Sequence, residues 1–181
     1  PASFEQTTSR PGYYVDQIGA TTETPCLPGS YNPDSGATDS SACMLADLGY
    51  YVPGGASAAQ IPAPPGHYVD EVGAVAPKIC VVGTYNSANA SSSSAACLSA
   101  EPGYYVSQPG SASQTPASPG HYVAEYGATS EQACLAGTYN PNTASQSATA
   151  CQQAQPGFYV PTTGQAQPTQ AARGHYVDVY G

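Results

Sequence analysis

The chain has 181 residues, a formal net charge of −9 and only 8% charged residues, with 15 Tyr, 19 Gly and 18 Pro but no Trp. Its three cations, Arg10, Lys78 and Arg173, make no basic patch, which excludes phosphate-led binding of nucleic acid, and an anionic membrane surface would repel the chain. No run of about 18 apolar residues and no signal-peptide pattern is present, so no membrane insertion is expected; Pro1 in place of an initiator Met reads as a processed chain or an excerpt.

The elements recur in chain order. Gly12, Gly66, Gly120 and Gly174 are 54 residues apart, in Pro-Gly-Tyr-Tyr-Val, Pro-Gly-His-Tyr-Val (twice) and Arg-Gly-His-Tyr-Val. Gly29, Gly83 and Gly137 repeat the period in Gly-Ser-Tyr-Asn and Gly-Thr-Tyr-Asn, and Gly49, Gly103 and Gly157 form a third series. The steps between series are 17, 20 and 17 residues, so each 54-mer holds three related rungs. The chain reads as a partial rung (1–11), three repeats (12–65, 66–119 and 120–173) and a second partial rung (174–181).

Each rung carries the same marks. Two residues after its Gly stands Tyr14, Tyr31, Tyr51, Tyr68, Tyr85, Tyr105, Tyr122, Tyr139, Tyr159 or Tyr176, and seven after it stands Gly or Ala. Fourteen after it stands Cys or Ala: Cys26, Cys43, Ala63, Cys80, Cys97, Ala117, Cys134, Cys151 and Ala171. The extra residues of the long rung are expected after this slot, within 44–48, 98–102 and 152–156. Pro and Gly recur too often for helix. Gly-x-Tyr-Val reads as a short strand, and the Pro-Gly that opens six of ten rungs suits a type II turn. Alternation sets the repeated Tyr on one face and its more variable neighbours on the other, so a buried Tyr ladder is expected.

Six cysteines without a CxxC or paired His argue against zinc and for structural disulfides, hence an oxidising compartment. If equivalent residues of adjacent rungs lie roughly 4.7–4.9 Å apart, Cys26 with Cys43, Cys80 with Cys97 and Cys134 with Cys151 fall within the roughly 4.4–6.8 Å that a bridge needs. Pairing Cys43 with Cys80 would skip a rung. The fold expected is an all-β, disulfide-stapled, solenoid-like ladder of 17–20-residue rungs.

The run Cys-x-x-Gly-Thr-Tyr-Asn, then Ser, Cys and Pro-Gly-Tyr-Tyr-Val resembles the Cys-rich GTY repeats of secreted and surface proteins, similar to the ephrin-receptor-like family. The resemblance covers Cys26–Cys43, Cys80–Cys97 and Cys134–Cys151 with their linking units. It implies an extracellular or surface role and no catalytic residues. The chain departs by carrying Ala in every third rung.

Other motifs have plain readings. His67, His121 and His175, three rungs apart, are separated by about 14 Å on the stack spacing, too far to share a metal. Asp16, Asp70, Glu71, Glu125 and Asp178 fit no calcium-loop pattern and read as a solvated edge. Asn89-Ala90-Ser91 is the one N-glycosylation sequon, making Asn89 a glycan candidate. For the Ser/Thr clusters at 38–41, 91–94 and 143–149, O-linked sugar and polar turns stand equally open. No nucleophile–base set is found, so no catalytic residue, metal or cofactor is expected.

The expectation is a structural subunit of an extracellular or cell-surface filament that polymerises head to tail with itself. Joining Gly181 of one copy to Pro1 of the next gives a step of 19 residues from Gly174 to Gly12, within the internal range. Residues 1–11 would then complete the rung begun by 174–181. The alternative is a stalk or adhesin region that projects a separate binding domain.

Overall fold

The computed structural model describes residues 6–178; the expectations that fall on 1–5 and 179–181, including the Gly181 corner, lie outside them. The fold is all-β. Among the described residues it consists of nine two-stranded antiparallel hairpins. They pair Tyr13–Tyr14 with Thr24–Pro25, Ser30–Tyr31 with Met44–Leu45, Tyr50–Tyr51 with Ile61–Pro62, and His67–Tyr68 with Lys78–Ile79. The series continues with Thr84–Tyr85 and Leu98–Ser99, Tyr104–Tyr105 and Thr115–Pro116, and His121–Tyr122 and Gln132–Ala133. It ends with Thr138–Tyr139 and Gln152–Gln153, then Phe158–Tyr159 and Thr169–Gln170. Each sequence rung therefore closes on itself, whereas stacking alone had suggested pairing from rung to rung.

The chain divides into two compact units, Pro1–Ile79 with Ala88–Ala96 and Cys80–Ser87 with Cys97–Gly181. Within each unit, three backbone hydrogen bonds tie a hairpin to the next. In the first unit Gly12 N donates to Asn32 O (2.7 Å), Val15 N to Ala37 O (2.9 Å) and Gly36 N back to Ser9 O (2.8 Å). In the second, Gly120 N donates to Asn140 O, Val123 N to Ser145 O and Ala144 N to Ala117 O in the same pattern. These bonds satisfy the backbone groups that two-residue strands leave over.

The turn expectation holds at the start of each hairpin. Gly12 has φ +85° and Tyr13 N donates to Arg10 O, the i to i+3 bond of a turn whose third residue is left-handed. The small residue seven places on has a conformational cause. That corner is left-handed whether Gly fills it (Gly73, φ +75°) or Ala does (Ala90, φ +51°).

The interior corrects the Tyr ladder. The most enclosed side chains stand one place later: Val52, Val69, Val106 and Val123, with Asn32 and Asn140 in the same position. The repeated tyrosines Tyr14, Tyr31, Tyr51, Tyr68, Tyr85, Tyr105, Tyr122 and Tyr139 are half-buried, and Tyr159 and Tyr176 are exposed. Opposite the Val/Asn position lies a second buried slot, three residues before each Gly: Cys26, Ala46, Ala63, Cys80, Ala100, Ala117, Cys134 and Ala154. Between such close backbones there is room for Val, Asn, Cys or Ala and not for a phenol ring.

The same slot relocates the insertion. Ala46 N donates to Gly29 O as Cys26 N does to Gly12 O, so Ala46, fully buried, is the counterpart of Cys26 and Ala63, and Cys43 is not. The three extra residues therefore precede Cys43. There the chain makes a single 3-10 turn, Ser40–Ala42, matched by Ser94–Ala96 and Ala148–Ala150. The Asp39 carboxylate caps the first by accepting from Ser41 N at 2.8 Å.

Packing also reaches beyond the nearest neighbour. A Cβ built on Gly49 would overlap the carbonyl oxygen of Ala90, and one on Gly83 that of Gly127, each belonging to the second hairpin along. Gly83 is doubly constrained, by φ +80° and by that carbonyl, whereas Gly19, at φ +77°, has nothing within 4 Å. Chemical denaturation of the two Ala variants should separate these terms. Gly83→Ala is expected to cost at least about 3 kcal/mol and Gly19→Ala about 1 kcal/mol, the backbone strain alone. Equal losses would mean that the close approach contributes nothing.

Candidate assembly surface

Three disulfides join Cys26 to Cys43, Cys80 to Cys97 and Cys134 to Cys151, with Cα separations of 5.6, 5.5 and 5.7 Å. These are the pairs expected from the spacing, and no cysteine is left free among the described residues. In each, the buried slot of one hairpin is tied to the residue that follows the 3-10 turn of the next. Each closes a 17-residue separation, worth about 3 kcal/mol in the chain-entropy account. Three such bridges point to folding in an oxidising environment.

A non-covalent staple occupies the place of Cys43 in other hairpins, and sequence reading missed it. Three residues before the buried slot stand Glu23, Gln60, Gln114 and Glu131. Each side-chain oxygen accepts from a backbone N–H 13 residues back: Arg10 N to Glu23 (2.9 Å), Asp47 N to Gln60 (2.7 Å), Glu101 N to Gln114 (2.8 Å) and Ser118 N to Glu131 (2.6 Å). Pro77 holds the position opposite Pro64, which has no N–H to satisfy. Glu23 also receives Arg10 Nε at 2.6 Å, and the Arg10 guanidinium lies 4.9 Å from the centre of the Tyr13 ring. The signal was legible as Glu or Gln at a fixed distance from the slot.

A second missed feature is the buried Asn. Asn140 Nδ2 donates to the His121 carbonyl of the preceding hairpin (2.9 Å) and to Ser145 Oγ (2.8 Å), and its Oδ1 accepts from Asn142 N (3.1 Å). Asn32 repeats this, donating to Tyr13 O and accepting from Asp34 N, both at 3.0 Å. Such a group stays buried because its donors and acceptor are paired.

The histidines have local roles. Nδ1–H of His67 donates to Pro65 O (3.0 Å), that of His121 to Pro119 O (3.2 Å) and that of His175 to Arg173 O (3.4 Å). Asp16, Asp70, Glu71, Glu125 and Asp178 are exposed, and Lys78 Nζ reaches Asp70 at 2.6 Å and Glu71 at 3.6 Å. Among the described residues no three His, Cys, Asp or Glu gather as metal ligands, and no helix is long and apolar enough to cross a membrane. Asn89 is exposed at a hairpin corner, and Ser92, Ser93 and Ser94 are exposed beside the 3-10 turn.

An open cleft of about 930 Å³ lies against the Gly12 hairpin, lined by Thr7, Thr8, Arg10, Tyr13, Val15 and Gly19 among others. Val15 O, Gly19 N and Ala20 O face no partner among the described residues. Their counterparts in the next hairpin, Asn32 O, Gly36 N and Ala37 O, are all bonded. In the second unit Ala171 O, Gly174 N and Val177 N are likewise unpaired among the described residues.

Two outcomes test the staples. Asn140→Ala should destabilise by about 2–3 kcal/mol in denaturant melts, since it orphans the His121 carbonyl and Asn142 N–H; a loss below about 0.5 kcal/mol would show that Asn140 only fills space. The Arg10 backbone N–H, then its guanidinium, hold the Glu23 carboxyl below the ordinary carboxylate range. A depressed folded pKa means that the contribution is complete above that range and lost as pH falls through the folded value. Melting temperature should therefore drop between about pH 5 and pH 3, and less steeply in Glu23→Gln, whose amide keeps the acceptor. Parallel curves would remove Glu23 from the acid response. Comparison with family models and with curated proteins finds no match to this chain.

Proposed function

We propose that this protein is a non-catalytic structural subunit of an extracellular or cell-surface filament, built as a β-solenoid-like ladder and joined head to tail to copies of itself. The observation that carries the reading is the link between hairpins. It is made of backbone groups, repeats within each unit, and needs only small side chains beside it. Such a link is indifferent to most of the sequence, so it can extend over many repeats, which is the property a fibre requires. The three disulfides and the GTY-like sequence pattern fit an extracellular setting. The exposed Asn89 and Ser92–94 are where a glycan would be carried without touching the backbone links.

Negative-stain electron microscopy of the purified chain tests the reading. Uniform filaments many times longer than one subunit are expected, and they should persist without any added metal or cofactor. Isolated particles at all concentrations, or short rods ending in a knob when longer versions of the chain are imaged, would replace the filament with a stalk.

A further inference from the structure

We infer that Asn89 accepts an N-linked glycan only before the chain folds, because folding shuts away the Ser91 hydroxyl that the transfer must read. The inference rests on the extracellular reading above, since an Asn-x-Ser motif is used only along a secretory route.

The acceptor end of the motif is well presented. Asn89 stands six residues after Gly83, at a corner that points outward in other hairpins too: Ile18, Val72 and Tyr126 hold the same place and all are exposed. Residues so different at one exposed corner leave it free of packing constraints. A sugar carried on Asn89 Nδ2 therefore leaves the hairpin as it is.

The other end is sealed. Ser91 is only 9% exposed, and Ala90 between the two is held left-handed at φ +51°. Ala90 N donates to Ala63 O (2.8 Å), and Ser91 O accepts from Val69 N (2.9 Å). Ala63 and Val69 belong to the core cluster, and the Ala90 carbonyl lies where a Cβ on Gly49 would stand. A transferase must read the amide of Asn89 and the hydroxyl two residues on together. Reaching that hydroxyl means breaking both backbone bonds and lifting 90–91 off the core, a local opening with its own free-energy cost. Ala63, Val69 and Gly49 all precede the sequon in the chain. They are available to it as soon as it is made, so the interval in which it stays open is short.

The donor class is a sugar joined to a lipid through pyrophosphate. Asn89 Nδ2 attacks the anomeric carbon and a C–N bond forms. The C–O bond to pyrophosphate breaks, the lipid pyrophosphate leaves with the electron pair, and Nδ2 gives up one proton to solvent. The next repeat holds the same frame with a different first residue. Thr143 is exposed, Ala144 has φ +52° and Ser145 is buried; Ala144 N donates to Ala117 O (2.8 Å) and Ser145 O accepts from Val123 N (2.9 Å). Thr143→Asn therefore writes a second sequon into identical surroundings.

Transfer in a purified system decides the matter. The full chain, folded with its three disulfides, and the same chain reduced and alkylated are each incubated with an oligosaccharyl transferase and a lipid-pyrophosphate oligosaccharide. The mass of the peptide carrying Asn89 is followed in time. The unfolded chain should be modified, and the folded chain at least about tenfold more slowly, the factor that an opening cost of about 1.4 kcal/mol imposes. Thr143→Asn should add a second modified peptide with the same contrast between the two states. In the unfolded state Ser91→Thr should keep the modification at Asn89 and Ser91→Ala should lose it. Equal rates on folded and unfolded chain, at either sequon, overturn the inference and leave Asn89 an acceptor. Modification that survives Ser91→Ala also overturns it, because the buried hydroxyl is then not what the enzyme reads. Should the unfolded chain stay unmodified at Asn89, that residue is no acceptor and the inference falls with it, while the extracellular reading still stands on the disulfides.

Discussion

At Gly49 and Gly83 the backbone of a later hairpin comes so near that its carbonyl oxygen stands where a side chain would begin. The rest of the fold follows from that approach. Two-residue strands bury little apolar surface, so the hairpins need contacts that do not depend on large side chains. A left-handed Gly supplies them, because it turns the chain sharply and leaves its N–H open to the neighbouring carbonyl. Once backbones lie this close, the space between them is filled by Val, Asn, Ala, Cys and Ser. The poverty in large core residues is a consequence of the approach and not a defect offset elsewhere.

A thin interior raises the weight of whatever holds the base of each hairpin. The position three residues before the buried slot is filled by an amide or carboxylate, by Pro, or by the half-buried partner of a disulfide. These are different solutions to one problem. Gln60 and Glu131 satisfy a backbone N–H, Pro77 stands where that donor is missing, and Cys43 replaces the hydrogen bond with a covalent tie. The covalent form occurs where the hairpin is lengthened by its 3-10 turn. A longer connection has more freedom to lose on closing, and a bridge removes part of that freedom from the unfolded chain.

Much of this was legible in sequence, and the failures have definite physical origins. Strict period fixed the hairpin starts, the Pro-Gly turns and the cysteine pairs, since each depends on chain geometry that spacing reports directly. The buried face was misjudged because Tyr at the second position is invariant and large, so it looked like the core. Invariance there accompanies a half-buried ring, while the interior takes Val or Asn one place on. The insertion was set after Cys43 because counting from Gly cannot tell which residue regains the slot. Only the Ala46 to Gly29 hydrogen bond does. The pairing of strands within a rung was also beyond the spacing argument, because a 17-residue period suits both a hairpin and a coil of a stack.

Backbone links also separate two properties that most interfaces combine. The strength of a Gly N–H to carbonyl bond does not depend on salt, whereas the approach of two copies each carrying −9 does. At physiological ionic strength the screening length is about 8 Å, so acidic corners such as Asp16 and Glu125 act on a neighbouring chain only when it is already close. In a filament of the kind proposed, copies joined by such links would be slowed in their approach by mutual repulsion at low salt and held by bonds that salt barely touches. On that proposal the sparse charges would act chiefly on encounter, keeping free chains apart, while the backbone hydrogen-bond pattern would decide which encounters persist.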